Sequence, residues 1–253
     1  MRCRLRLVRL GAGSVLALGL ALAGCTRTAP AGLPPGTTVE DLPESESWNA
    51  QLRASDDGQP RLEIDAPYLA RYDRADTAYV YLGPAPGDSA ATVAVRLYEA
   101  GQLSASVTAR EAWYYEDDGR LVTRGDVRTS VTGEEGALIE AATVEVRGDT
   151  VEAVGAVRAE TQGAGGARIA APRLRLVRGG AFEATGGARV EATGGVLVAS
   201  RVEWDAEAER FRVPGAFSFD GPGERVRGVG LNATSDLARY SFRNATGEIE
   251  VRE

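Results

Sequence analysis

A strand pattern that recurs about every 30 residues constrains this chain more than any other feature. Apolar residues alternate with polar ones over short runs, the period-2 signature of half-buried strands. Leu121, Thr123, Gly125, Val127, Thr129 and Val131 share one face of such a run. Val151, Ala153, Gly155, Val157 and Ala159 repeat it, as do Phe182, Ala184, Gly186, Ala188, Val190 and Ala192. Phe211, Val213, Gly215, Phe217 and Phe219 repeat it again, and Tyr240, Phe242, Ile249 and Val251 close the series. The glycines at 125, 155, 186, 215 and 247 are separated by 30, 31, 29 and 32 residues. A near-constant period of this size marks stacked structural units.

Each unit carries a second pattern upstream of its glycine. Ile139, Ala141, Val144 and Val146 use the same offsets as Ile169, Ala171, Leu174 and Leu176, and as Leu197, Ala199, Val202 and Trp204. Ile64, Ala66 and Leu69 begin an earlier copy. The step of three after the alanine breaks strict alternation once per unit, which is how a β-bulge reads in sequence. Pro67 and Pro172 follow the alanine in two copies, and proline in a sheet is confined to edges and bulges. The glycine is expected to mark a second bend. Asp117-Asp118-Gly119, Gly148-Asp149 and Gly179-Gly180 supply tight hairpin turns. The expectation is an all-β chain: a twisted β-jellyroll or open antiparallel β-sandwich built from about 30-residue repeats. A parallel β-solenoid is the alternative.

The start of the chain reads as a secretion signal rather than as fold. Arg2, Arg4, Arg6 and Arg9 precede a largely apolar stretch from Leu10 to Ala23 that contains no charge, and Leu22-Ala23-Gly24-Cys25 follows. Small residues ahead of a cysteine match the bacterial lipobox, in which the cysteine is lipidated and becomes the new N-terminus. The expected organisation is therefore a signal peptide over residues 1–24, a lipid-bearing Cys25 with a tether over 25–47, and one β domain over 48–253. Pro30, Pro34, Pro35 and Pro43 give the tether its composition. The expected location is the periplasm, anchored to a membrane, with inner and outer membrane both open.

Composition narrows the chemistry. Loss of the signal removes four arginines and no acid, taking the formal charge from −7 to −11. Such a surface lacks the basic footprint of a nucleic-acid binder. The chain has no histidine, and its two cysteines are Cys3 and Cys25. Internal disulfides of the mature chain, Cys/His zinc sites and triads built on histidine are thereby excluded. No pair of carboxylates stands out for acid–base work: Asp117 and Asp118 belong to a turn. No cofactor or metal is expected, and a binding role is favoured over catalysis. Trp113, Tyr114 and Tyr115 are consecutive aromatics that offer a sugar platform. On a strand, however, neighbours face opposite sides, which puts at least one in the core.

Three segments carry a resemblance. They are Ile64-Asp65-Ala66-Pro67-Tyr68-Leu69-Ala70-Arg71-Tyr72, then Thr108-Ala109-Arg110-Glu111-Ala112-Trp113-Tyr114-Tyr115 with Gly125-Asp126-Val127, and Gly228-Val229-Gly230-Leu231 running to Asp236-Leu237. From about Trp48 onward the chain resembles the LptC family of lipopolysaccharide-export periplasmic proteins and the related LptA/OstA-like repeat domain. The resemblance implies a β-jellyroll that joins neighbouring jellyrolls end to end. It implies that lipopolysaccharide passes along the apolar interior, from an inner-membrane ABC transporter toward LptA-like or outer-membrane Lpt proteins. A lipobox in place of a transmembrane helix, and an array longer than a minimal LptC domain, set this chain apart.

The inward positions fit such an interior. Ala141, Ala153, Ala159, Ala171, Ala184, Ala188 and Ala192 stand where larger residues would fill a core, compatible with an acyl-chain groove or with two layers in close approach. Ile64, Val127, Ile139, Val157, Ile169, Val190, Leu197 and Phe217 are the expected groove lining. Gly247, Ile249 and Val251 on the last strand are the expected edge for a partner, since an unpaired edge offers free backbone groups. The competing function is a structural or adhesive repeat lipoprotein of the cell envelope that moves no lipid.

Overall fold

The computed structural model describes residues 42–249, apart from 75–76, 89, 133–135, 162–165 and 178–179. These residues belong to a compact unit spanning Glu40–Glu253. The signal, Cys25 and Val251 lie outside them.

Among the described residues fifteen strands follow one another: β1 (Ser45–Asp56), β2 (Gln59–Arg74), β3 (Thr77–Gly83), β4 (Val93–Glu99), β5 (Gln102–Ala109), β6 (Glu111–Tyr115), β7 (Arg120–Val131), β8 (Ala137–Arg147), β9 (Thr150–Thr161), β10 (Arg168–Val177), β11 (Phe182–Ala192), β12 (Gly195–Asp205), β13 (Arg210–Gly221), β14 (Glu224–Thr234) and β15 (Tyr240–Ile249). All belong to one antiparallel sheet. From β7 to β15 each strand pairs with the next in sequence, a plain meander. Antiparallel pairing throughout sets aside the parallel solenoid. β1 begins at Ser45, so the last three residues of the expected tether are already paired strand.

The sheet is creased along its middle and folded on itself. In β8, Ile139 and Ala141 face inward before the crease, and Val144 faces inward after it. The register skips there: Glu140 pairs with Arg158, and Thr143 pairs with Val154. Gly155 sits opposite, with φ +87°, followed by Ala156 at +50°. A Cβ on Gly155 would lie 2.8 Å from that of Ala142, so both backbone angle and space call for glycine. The step of three and the glycine are therefore one bend and not two, because the hairpin register brings them face to face. Gly125 and Gly186 repeat the arrangement at the register shifts of their own strand pairs. Gly247 does not: it pairs squarely with Val226, and the left-handed glycine of that last hairpin is Gly230 on β14.

Folding the sheet yields two layers that share one core. One is formed by the strand halves that carry Val127, Ile139, Val157, Ile169 and Phe217. The other is formed by the halves that carry Leu121, Val144, Ala153, Leu174 and Phe211. All these residues belong to a single buried cluster running from Leu62 to Leu237. Phe219 and Tyr240 meet across the layers, ring centroids 4.7 Å apart. The middle strands bury mostly Ala, Val and Ile. The C-terminal strands bury the larger rings Phe211, Phe217 and Phe219.

Candidate functional site

The interior is the site that the sequence points to. The structure places all eight expected lining residues on inward positions: Ile64, Val127, Ile139, Val157, Ile169, Val190, Leu197 and Phe217 are 0–4% exposed. Cross-strand pairing aligns them, Thr129 with Ile139, Ile139 with Ala159, Ala159 with Ile169, Ile169 with Val190, and Val190 with Leu197. They thus form rows across the layer rather than scattered contacts. Side chains of the facing layer join them in one buried cluster, and Ile169 with Ala159 also borders a shallow surface hollow.

Among the described residues the buried polar side chains are Thr123 and Thr129, and no buried charge is present. Thr123 Oγ1 donates to the Val144 carbonyl at 3.1 Å. Thr129 Oγ1 is buried and has no hydrogen-bond partner. An unsatisfied buried hydroxyl costs about 1–3 kcal/mol, so the interior holds one polar atom waiting for a partner.

Two boundaries of the interior differ from the crease. One is the seam, where turns from the two layers approach each other. It is clasped at its C-terminal end: the Gly194 N–H, in the turn between β11 and β12, donates to the Asp236 carbonyl at 2.7 Å. Leu237, in the turn between β14 and β15, is buried with φ +57°. A Cβ on Gly194 would strike the Leu237 carbonyl group, so only glycine permits the approach. The Asp236 carboxylate holds its turn by accepting from Thr234 Oγ1 at 2.5 Å and from the Ala238 N–H at 3.0 Å. Those bonds, the Thr234 hydroxyl first, hold its carboxyl below the usual range. The other boundary is the end of the sheet. Phe242 on β15 pairs with inward Leu231 and has its ring centroid 6.3 Å from that of Phe217, yet is 43% exposed. The apolar interior therefore comes to the surface beside the last strand.

Gly247 and Ile249 lie in β15, the terminal strand of the order, paired with Val226 and Glu224 of β14. Among the described residues β1 is the other outer strand, paired with β2. The sequence pattern points to the first edge and not the second, because the start of β1 falls within the expected tether.

Outer faces of the middle strands are charged. Arg128–Glu140, Arg168–Glu160, Arg173–Glu152 and Arg201–Glu183 pair across strands at 3.1–3.6 Å. Two shallow hollows of about 320 and 460 Å³ lie beside these strands: the first has a charged rim of Glu140, Arg158 and Arg168 over apolar Leu138, Ala159 and Ile169, and the second is bordered by polar and charged side chains such as Glu145, Arg147 and Glu152. The polar lining of the second makes it a poor place for an acyl chain. The aromatic triplet divides as strand geometry requires: Tyr114 joins the core, while Trp113 and Tyr115 face outward. Asp117 and Asp118 sit at a hairpin turn, where Asp118 accepts from the Arg120 N–H at 3.1 Å.

No protein-family model matches the chain, and neither does any curated protein. Solved structures do match, among them LptH from Pseudomonas aeruginosa, described as the LptA-homologous periplasmic component of the lipopolysaccharide transport device. It is 20% identical over 40% of this chain and 76% of its own, with a TM-score of 0.37.

Proposed function

We propose that this chain is a lipid-binding component of the cell envelope, anchored through Cys25, that carries the acyl chains of lipopolysaccharide or a related glycolipid between its two layers. One observation supports the reading above others: the interior is apolar from one end of the sheet to the other and emerges uncovered at Phe242. A protein built only as a rod gains nothing from an apolar end left in water.

The architecture lets that interior open without breaking a strand ladder. The backbone hydrogen bonds run within the sheet and continue through the crease. Parting the layers along the seam breaks side-chain packing and the Gly194–Asp236 bond but none of the strand-to-strand ladders. Acyl chains would restore the lost apolar contact as the layers separate, at roughly 0.8 kcal/mol per buried CH₂. Ile64, Val127, Ile139, Val157, Ile169, Val190, Leu197 and Phe217 would line the opened groove. The Thr129 hydroxyl would meet a polar atom of the lipid near its headgroup.

Passage to a neighbour would use an end of the sheet, where Gly247, Ile249 and Val251 offer backbone groups for strand addition. Partners of this kind are LptA-like or outer-membrane Lpt proteins on one side and an inner-membrane ABC transporter on the other. The test is lipid content. The purified chain should carry co-purifying lipopolysaccharide or phospholipid, detectable by mass spectrometry, and should bind a fluorescent fatty acid that such lipid displaces. A chain free of lipid that also fails to bind the probe would reject the reading and leave a structural envelope protein.

A further inference from the structure

One face of the sheet differs from every other. Trp48, Tyr68, Tyr72, Tyr79, Tyr81, Trp113 and Tyr115 all lie on the outer side of the crease-distal halves of β1, β2, β3 and β6. They are seven of the eleven tyrosines and tryptophans in the chain. Tyr68 is buried yet stands outside the core cluster, covered by its neighbours' rings. On the other layer the same β1 and β2 carry a polar outer face: Asp65 pairs with Arg96 at 2.8 Å and accepts from Gln51 at 2.7 Å. The aromatic belt is thus not a general property of these strands.

The rings face one another rather than outward. Tyr72 and Tyr79 stack with centroids 5.0 Å apart and planes 20° apart. Adjacent strands are about 4.8 Å apart, so two parallel rings at this distance on neighbouring strands stand on edge. Tyr81 meets Tyr68 and Trp113 edge to face, at 6.3 and 5.6 Å. Remaining ring faces hold guanidinium groups, Arg120 at 3.8 Å from Tyr115 and Arg124 at 5.0 Å from Trp113. A saccharide platform needs free ring faces, and those of Tyr72, Tyr79, Trp113 and Tyr115 are engaged. What points to solvent is a layer of ring edges among arginines and glutamates, with the Tyr68 phenol donating to Glu46 and the Tyr81 phenol to Glu111; amphipathic rings of this kind settle at the headgroup level of a membrane.

The chain enters the domain at this face. Ser45 pairs with Arg71 and Trp48 with Tyr68, so the first four residues of β1 run beside the belt. Trp48 is 58% exposed. Twenty residues separate Ser45 from Cys25, a length that spans at most roughly 70 Å.

We infer that this belt rests on the phospholipid surface of the membrane that holds Cys25, fixing the domain on its side so that the seam and the β15 end are presented in a set orientation. The inference rests on the lipid-anchor reading of Cys25 but not on lipid carriage in the interior. It is tested with the full lipidated chain in vesicles of phosphatidylethanolamine and phosphatidylglycerol. Photoreactive p-benzoylphenylalanine replaces Trp48 or Tyr79 in the belt, Arg201 on the charged outer face, or Val157 in the interior. Belt positions should yield phospholipid adducts at least fivefold above Arg201. Equal yields from a chain that floats with the vesicles, or belt adducts to saccharide or protein instead, would overturn it. A chain that does not float would remove the anchor and the belt's occupant together. Adducts at Val157 report on the interior alone, so failure there leaves the belt standing.

Discussion

At the scale of single residues, the crease depends on a few backbone positions that only glycine fills well. Gly155 has a left-handed φ and the Ala142 methyl directly opposite. Gly155→Ala should cost about 1–3 kcal/mol of unfolding free energy through strain and crowding. Gly215 is the control from the same periodic series. Its φ is not left-handed and its nearest neighbour is Ser200 Oγ at 4.0 Å. Gly215→Ala should change stability by less than about 0.5 kcal/mol. Urea denaturation of the two variants checks the contrast; equal losses would mean that the crease is not where strain is concentrated. The inward positions were legible in the sequence because strict alternation, with one slip of three, assigns each residue to a face. The aromatic belt was not legible. A tyrosine on a strand reads as core until the fold shows that Tyr68, Tyr72 and Tyr81 lie past the crease, where parity has reversed.

At the scale of elements, turns and edges carry the behaviour that matters. The clasp at Asp236 is pH-sensitive in a defined direction. Its carboxyl is held below its usual value of 3.8, so the folded turn favours the carboxylate. The stability this adds is present above pH 3.8 and is lost as pH falls through the lower folded value. Amide exchange at Leu237 and Ala238 should therefore accelerate as pH drops below about 4, after correction for intrinsic rates. In Asp236→Asn that acceleration should disappear; its persistence would place the sensitivity elsewhere. The last strand offers a second test. Deleting Gly247–Glu253 removes the end of β15 while leaving the buried cluster, which ends at Leu237, intact. The truncated chain should keep its unfolding midpoint within a few degrees and lose capture of an LptA-like partner. Full retention of capture would move the contact to the β1 edge. Sequence patterns located the hairpins from β7 to β14 well, because each carries its own turn and its own glycine. They missed how the short β3 and β6 pair with each other, Val80 with Tyr114, because contact between two separate hairpins is long-range and leaves no local signature.

At the scale of the whole molecule, one continuous sheet folded along one crease explains why an apolar interior and an openable seam can coexist. A closed barrel would have to break strand ladders to admit a ligand, whereas this sheet has only to unfold about its crease. The repeat period announced the number of units and the bend within each. It did not reveal that the bends coincide on one line, since that depends on register between strands rather than on any strand alone. The most direct measurement of the central claim is lipid photo-crosslinking in living cells from opposite faces of the same strands. With p-benzoylphenylalanine at Val157 or Ile169, which point between the layers, lipopolysaccharide adducts should form. At Arg158 or Arg168, which are exposed on the outer face, they should not. Adducts from the arginine positions alone would contradict the account.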